Sequence, residues 1–547
     1  MFKTATALLF CFCFLFSAAI TRAQGFATLD STNLPIILLY SNGNTINDQN
    51  KVTGNMKIIS NTNGKKNRIT DPANVYDGKI GIEVRGATSA SYPQKPFSIE
   101  TRDDLGNDRK VSLLGMPKES DWILLSNYND KVFMRNSLSF KLFNEMGHYA
   151  SRTRLCEVLL DGNYRGVYVF TEKIKRDSGR VDIAKLDAND NFGDSLTGGY
   201  IFKIDTHGSS DYWTSQFRPR ANTNVEFVYH YPKADEITKE QRAYIRIFVN
   251  EFETALNGNS FADPLQGYKS YIDVNSFIDY FILQEVSRNV DGYKKSSYFN
   301  KDKQSKSGGL LHAGPVWDFD WAWKDIWDCD EFAREDGSGW AYRIQKCNKW
   351  PVPPAWMDRL LLHYEFADKL IKRYQQLRTT ILSDNYLYHQ IDSMSTLVNE
   401  AKDRHYKVYS ITASDAPEMA PQPTTYEGQV IKFKGWITER LAWLDNNLTL
   451  ANITDNIIED TPEIIDPNNA KIYKIFPNPV KDVLFIKSYD DIASVEIHNL
   501  TGTLFDAALP VDPKYIQINV SGFTSGYYFV TIRFVNGKVA TDKVVVR

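Results

Sequence analysis

Cysteine is scarce in this chain. Its 547 residues hold five, none in a C-x-x-C pair, so structural zinc and thioredoxin-like chemistry have no support. Positive charge is not in excess either. Lys+Arg 64 against Asp+Glu 67 gives a formal charge of −3 with histidine neutral. Nothing in that balance neutralises a phosphate backbone, and general nucleic-acid binding is disfavoured. Long apolar runs are missing beyond the first residues, which excludes a polytopic membrane protein. No H-E-x-x-H, G-x-S-x-G or Walker phosphate loop occurs, and His148, His207 and His312 are scattered. The common hydrolase and P-loop signatures are therefore absent.

What is present is globular composition, with 42% hydrophobic, 24% charged and an aromatic-rich 13% of Phe, Trp and Tyr. At about 150 residues per domain the length suggests three or four units. The one long apolar run reads as an export signal. Lys3 supplies positive charge, residues 7–20 are apolar, and Thr21-Arg22-Ala23 precedes a cut ahead of Gln24. A buried helix of the mature fold is the other reading. Removing Lys3 and Arg22 leaves 62 basic against 67 acidic residues, near −5. Cys156, Cys329 and Cys347 remain. For Cys329 and Cys347 in an oxidising compartment, a disulfide and two free thiols are both open. Cys156, in the apolar run 155–160, reads as a core thiol.

The clearest boundary lies at 449–471. Asp455, Glu459, Asp460, Glu463 and Asp466 stand there with two prolines and no base between 454 and 467, which is linker chemistry. Beyond it, short alternating runs at 483–486, 494–497, 515–518 and 527–532, separated by turn signals, predict a small β-sandwich. The stretch 35–448 mixes element types. Strand-like runs occupy 35–40, 80–84, 156–160, 167–171 and 200–204. Thr238 and Gln241 form a capping box ahead of Tyr244, Phe248, Phe252 and Ala255. A second helix is predicted from Asn275 to about Arg288, burying Phe277, Ile278, Phe281 and Ile282 on one face, and 357–448 reads as mostly helical. The sum is an α+β domain followed by a β-sandwich.

The tail resembles the type A C-terminal sorting domain of type IX secretion cargo in Bacteroidetes. Phe476-Pro477-Asn478-Pro479, Thr501-Gly502, Ser525-Gly526-Tyr527-Tyr528 and the closing Lys543-Val544-Val545-Val546-Arg547 carry the resemblance. It implies passage through the periplasm, engagement of the type IX machinery, and secretion or surface attachment. An accessory β-domain that binds something else is the other reading. Domains are thus expected at 1–23 (signal), 24–75 (β-rich extension), 76–448 (main domain), 449–471 (acidic linker) and 472–547 (sorting sandwich), with no transmembrane segment after cleavage.

Two acidic loops stand out, one holding Asp291 after the Asn275 helix and one holding Asp318 and Asp320 after Gly314-Pro315. Phosphoryl transfer needs one carboxylate to take the proton of the attacking hydroxyl and another to hold magnesium. From spacing alone, solvated turn carboxylates are the commoner reading. The stretches around them are more specific. Ile82 to Ser89, Lys95-Pro96-Phe97-Ser98-Ile99, Asp121 to Tyr128, Asp130-Lys131, Arg135-Asn136, Gly166 to Lys173, Asn289 to Ser296 and Val316 to Asp320 together resemble the CotH family, spore-coat kinases with an atypical, distantly kinase-like fold.

Position by position, the resemblance implies that Asp291 is the catalytic base and Asp318 the metal ligand, with Asp320 supporting the metal. It makes Trp317 a wall for the nucleotide base, and Arg85 and Lys95 phosphate contacts. Glu172 becomes the acid that positions a lysine, and Lys173 a further phosphate contact. Ser296 stands where family members commonly carry the metal-binding Asn. Surface ion pairs and loop-anchoring bonds remain the plainer readings of Arg85, Lys95, Glu172 and Lys173. The implied activity is magnesium-dependent transfer of the γ-phosphoryl of ATP to Ser or Thr of an exported or surface protein. The other reading is a surface-displayed structural or binding protein that keeps the fold without catalysis. Two weaker constellations remain. Asp325, Asp328, Asp330, Glu331, Glu335 and Asp336 can hold calcium or form a solvated loop, and they lack an EF-hand register. Trp317, Trp321, Trp323 and Trp327 can stack on sugars or pack a core.

Overall fold

The computed structural model of the protein describes residues 27–450, 452–453 and 473–547, except 209–210, 221–222, 259, 348, 415, 420, 489, 500–501 and 509–512. The expected signal at 1–23 and the acidic stretch 454–467 lie outside the described residues. Seven strands, β1 (Ile36–Tyr40), β2 (Val52–Ile59), β3 (Tyr76–Val84), β4 (Phe97–Thr101), β5 (Asp121–Ser126), β6 (Thr153–Leu160) and β7 (Asn163–Glu172), close into a barrel in the order β1-β2-β3-β4-β5-β7-β6. Neighbours are antiparallel except at the closing seam, where β1 runs parallel to β6 with Ile36 opposite Glu157. Residues two apart on a strand share a face, and this rule fills the interior. Ile37 and Leu39, Met56 and Ile58, Ile80 and Ile82, Trp122 and Leu124, and Tyr168 and Phe170 meet in one buried cluster. Cys156 is part of that cluster, as its apolar surroundings suggested. The intervening residues Ile123, Leu155, Val167 and Val169 turn outward into the main core. Two strands of the expected N-terminal extension, β1 and β2, are thus staves of the barrel.

A second sheet follows, made of β8 (Tyr200–Ile204), β9 (Tyr212–Thr214), β10 (Glu226–Tyr231), β11 (Ser297–Lys301) and β12 (Leu311–Ala313) in the order β9-β10-β8-β11-β12, all antiparallel. The longer helices are α1 (Arg135–Glu145), α2 (Lys239–Asn257), α3 (Val274–Val286), α4 (Tyr364–Arg378), α5 (Asp384–Val398), α6 (Lys402–Val408) and α7 (Tyr426–Asn447). Helix α2 starts on the capping box read from Thr238 and Gln241. Helix α3 departs from the one-sided pattern, because it is buried all round from Ser276 onward. Its charged residues are matched individually. Asp279 binds His148 and Arg373 at 2.9 and 2.8 Å, and Glu285 accepts from the backbone of Ala341 and Tyr342 and pairs with Arg440 at 3.2 Å. Paired in this way, the carboxylates tolerate burial. Helix α6 latches onto the barrel seam through Arg404, which grips Glu157 with Nε at 2.9 Å and Nη2 at 2.7 Å.

The C-terminal strands β13 (Tyr473–Phe476), β14 (Val483–Ser488), β15 (Ile492–Asn499), β16 (Leu504–Ala508), β17 (Tyr515–Asn519), β18 (Gly526–Phe534) and β19 (Val539–Val546) form two sheets, β13-β14-β17 and β16-β15-β18-β19, over a shared apolar core. The predicted sandwich is therefore present. Cys329 and Cys347 are joined as a disulfide, with their Cα atoms 5.8 Å apart.

One charge cluster stitches the barrel. Asp121, at the head of β5, takes Lys175 at 2.7 Å, Lys173 at 3.6 Å and Lys51 at 3.8 Å. Burial alone raises its carboxyl, but Lys173, Lys175 and Lys51 hold it down at about 2. The folded value lies below the unfolded one, so this stabilisation is present above the ordinary carboxylate range and is lost as pH falls toward 2. Asp121→Asn is expected to cost roughly 2 kcal/mol at neutral pH. Denaturant melts of wild type and variant should converge as pH drops from 4 to about 2, in line with that linkage.

Candidate active site

A cavity of about 470 Å³ opens between the barrel and the second sheet. Several segments reach it, and four of them are held by ordinary local forces. The turn after β3 contributes Arg85 to Ser89. Gly86 sits there at φ +95, and a Cβ on it would collide with the Ser89 hydroxyl, so the turn needs glycine. The end of β8 contributes Lys203 and Asp205, paired at 2.6 Å. The loop from α3 to β11 contributes Asp291, Lys294, Lys295 and Ser296. Asn289 Oδ1 accepts from the Asp291 amide at 3.2 Å, and the Asp291 carbonyl accepts from Lys294 and Lys295, which winds the loop tightly. The loop after β12 contributes Trp317, Asp318, Asp320 and Trp321. Helix α1 pins it, since Asn136 Oδ1 accepts from the Phe319 amide at 2.8 Å and Phe140 stacks on Trp317 at 5.4 Å.

Of the residues singled out from sequence, Asp291, Asp318, Asp320, Ser296, Arg85 and Trp317 line this one cavity. The Ser296 hydroxyl lies 3.4 Å from Asp318 Oδ2. Both residues hold left-handed backbone, φ +49 and +70. Such geometry costs about 1–3 kcal/mol per residue and concentrates where a side chain must be aimed. The Arg85 guanidinium packs 5.4 Å from the Trp317 ring centroid, joining the barrel turn to the acidic loop. Three candidates lie elsewhere. Lys95 donates to the Ala90 carbonyl at 2.6 Å and lines a separate cavity at the barrel end. Glu172 is fully buried on Arg152 at 2.7 Å, so its cationic partner is an arginine and not the expected lysine. Lys173 turns to Asp121 in the stabilising cluster above. Lys95 and Lys173 lie just outside barrel strands, and Glu172 is the last residue of β7.

Sequence reasoning missed Lys203, Asp205 and Tyr298, which also line the cavity. Lys203 alternates with the buried Phe202 and Ile204 of β8, and only the pairing of β8 with β11 places Lys203 beside Tyr298. Lys294, Lys295 and Asp328 were visible only as parts of a motif and an acidic stretch. The tryptophan cluster divides. Trp317 and Trp323 are buried, Trp321 is half-buried, and Trp327 is exposed.

Electrostatics follow from enclosure. Burial, together with Asp318 and Asp328, raises the Asp291 carboxyl, while Lys294 and Lys295 oppose it. Burial and the Asp318 charge push Asp320 up to about 8. Among the described residues no lysine, arginine or histidine forms an ion pair with Asp318 or Asp320. Two unpaired carboxylates and a hydroxyl are hard oxygen donors, which suit magnesium completed by water and phosphate. Among the described residues no three or more His, Cys, Asp or Glu stand close enough together to hold a metal ion by themselves. The acidic stretch named for calcium disperses into ion pairs instead: Asp325 with Arg288, Asp328 with Lys294 and Lys349, and Glu331 with Lys346.

The family model described as CotH kinase protein matches residues 82–444, more than half of the chain, and that of the Secretion system C-terminal sorting domain matches residues 474–547. The second match marks an exported protein, secreted or held at the cell surface. Among solved structures the chain is similar to the Helicobacter pylori proinflammatory kinase CtkA, at 9% identity over 66% of this chain and 94% of that one, with a TM-score of 0.26. It is also similar to CopC from Methylosinus trichosporium OB3b, at 14% identity over 14% of this chain and 92% of that one, with a TM-score of 0.11. At such scores neither likeness carries an argument. No curated protein matches the chain. No helix among the described residues is long and apolar enough to cross a membrane.

Asn136 offers a test of how the acidic loop is aimed. Asn136→Ala leaves the buried Phe319 amide without its acceptor and is expected to cost about 1–3 kcal/mol. Thermal melts should show the loss. Magnesium titration by calorimetry should show weaker binding than wild type, since Asp318 and Asp320 flank the freed amide.

Proposed function

The chain belongs to the CotH kinase protein family, and from that membership we propose that it is an exported protein kinase. It transfers the γ-phosphoryl group of ATP to a serine or threonine of an exported or surface protein, in a magnesium-dependent reaction. The observation that carries this reading is the meeting of Asp291, Asp318 and Asp320 on one cavity that also holds Arg85, Lys203 and Lys295.

In this reading Asp291 accepts the acceptor's hydroxyl proton as that oxygen bonds to the γ-phosphorus. The bond from phosphorus to the β–γ bridging oxygen breaks, and ADP leaves with the electron pair. Asp318, backed by Asp320 and with the Ser296 hydroxyl 3.4 Å from it, would hold a magnesium ion, whose charge would neutralise that of the phosphates. Arg85, Lys203 and Lys295 sit where phosphate oxygens need donors, and Trp317 walls the nucleotide base. Access to the substrate follows from the sorting domain. We assign it to the type IX machinery of a Bacteroidetes-type bacterium, reached through the periplasm after removal of residues 1–23.

Purified full-length protein with labelled ATP and magnesium should label itself or a co-secreted protein. Asp291→Asn should lower the rate by about 10²–10⁴-fold, the usual scale for a lost general base, with nucleotide still bound. Equal labelling would remove Asp291 from the mechanism. Asp318→Asn should abolish the magnesium-dependent part of the thermal shift with ATP. Because burial raises Asp291 and Lys295 opposes that rise, the acid limb of the rate profile should move to higher pH in Lys295→Ala. A surface protein with a silent cleft would show no magnesium-dependent nucleotide binding at all.

A further inference from the structure

The disulfide Cys329–Cys347 links residues 18 apart, and both of its flanks reach the cavity that holds Asp291. Asp328 precedes one cysteine and Lys349 lies just beyond the other, and both line the cleft. Asp328 Oδ1 accepts from Lys349 Nζ at 2.7 Å, and Asp328 Oδ2 accepts from Lys294 Nζ at 2.8 Å. Lys294 Nζ lies 3.7 Å from Asp291 Oδ1. A contiguous path therefore runs from the cross-link through Asp328 and Lys294 to the carboxylate placed as base. Both intermediates are nearly closed to solvent, Lys294 at 6% and Asp328 at 9% exposure. A buried ammonium needs an anion, and Asp328 is the nearer of the two that Lys294 has.

The chain ahead of Asp328 is held by the Trp327 amide, which donates to the Pro417 carbonyl at 3.0 Å, and the chain after it runs straight into the bridge. Between the cysteines the regular structure is two short 3-10 turns, Asp330–Phe332 and Ala341–Lys346. The far cysteine is fixed from outside by Arg220, which donates to the Lys346 and Cys347 carbonyls at 2.8 and 3.0 Å. The bridge ties Cys329, and so Asp328, to that anchored point.

We propose that Asp328, seated by the Cys329–Cys347 bridge, is a positioning residue that holds Lys294 against Asp291, so that phosphoryl transfer requires the bridge closed. The inference rests on the kinase reading above and adds regulation to it. Closing the bridge takes two protons and two electrons from the two thiols and passes them to the disulfide of an exchange partner, which leaves as a dithiol. A reducing cytoplasm keeps the thiols apart, so the cleft is assembled only after export.

The experiment compares full-length wild type, before and after a small dithiol that opens the bridge and leaves as a cyclic disulfide, with Asp328→Asn, Asp328→Glu and the double Cys329→Ser/Cys347→Ser variant. Thermal melts confirm that each is folded. The expected result is a fall in kcat of about 10–100-fold in the reduced, Asp328→Asn and double-serine proteins, the scale of a misplaced reacting group. The KM for ATP should stay within about twofold. Asp328→Glu should recover most of the rate, and Lys294, mapped by mass spectrometry, should react faster with an amine-acylating reagent whenever the path is broken. Unchanged kcat in Asp328→Asn, or a reduced protein that keeps full rate and a protected Lys294, would overturn the proposal while leaving the kinase reading intact. Wild type inert in both redox states would defeat the kinase reading instead, and Lys294 acylation alone would then decide whether Asp328 positions it.

Discussion

Three carboxylates facing one small cavity repel one another, and the rest of the site is arranged around that repulsion. Asp291, Asp318 and Asp320 come from two loops that each require their own scaffold. Left without a cation, like charges this enclosed raise one another's affinity for protons, which is the state of Asp320. A soluble scaffold with no further purpose relieves such a cluster with lysine or arginine, as this chain does at Asp121, Glu172 and Asp279. At Asp318 and Asp320 it does not, although Arg85 and Lys295 stand within the same cavity. In the proposed reaction those cations serve phosphate.

The scaffold explains how the loops are held apart and yet aimed together. The barrel supplies a rigid wall ending in the Arg85–Ser89 turn. Buried helix α3 and strand β12 fix the two acidic loops from below, and α1 ties the second loop through Asn136 and Phe140. The parallel seam between β1 and β6 matters to this arrangement, because it closes the barrel and offers Glu157 to α6. Packing elements thus position every group proposed to touch nucleotide. The export module at the C-terminus carries a separate core of its own.

Much of this was legible in the sequence, and the exceptions share a physical cause. Alternating apolar residues gave away strands such as Ile80 and Ile82, and the Thr238 cap marked the start of α2. The family stretches brought Asp291, Asp318, Asp320, Ser296, Arg85 and Trp317 to attention, and the fold gathers those six. What local pattern does not encode is which strands pair across long separations. Closure of the barrel, the burial of α3 on every side and the arrival of Lys203 at the cleft all depend on such pairing. The same blindness left Lys95 and Lys173 among the phosphate contacts and Glu172 as the acid for a lysine, where the fold gives them Ala90, Asp121 and Arg152 as partners. The Cys329–Cys347 pairing stayed open for a related reason, since spacing alone does not say whether two loop ends meet.

In the proposed function the three carboxylates serve a nucleotide and its metal. A crystal structure of the full chain soaked with magnesium and a non-hydrolysable ATP analogue tests this most directly. The expected result is a metal on Asp318 backed by Asp320, with the terminal phosphate beside it and Asp291 facing the open side where an acceptor hydroxyl would enter. Nucleotide bound elsewhere, or a soaked cleft holding neither metal nor phosphate, would contradict it.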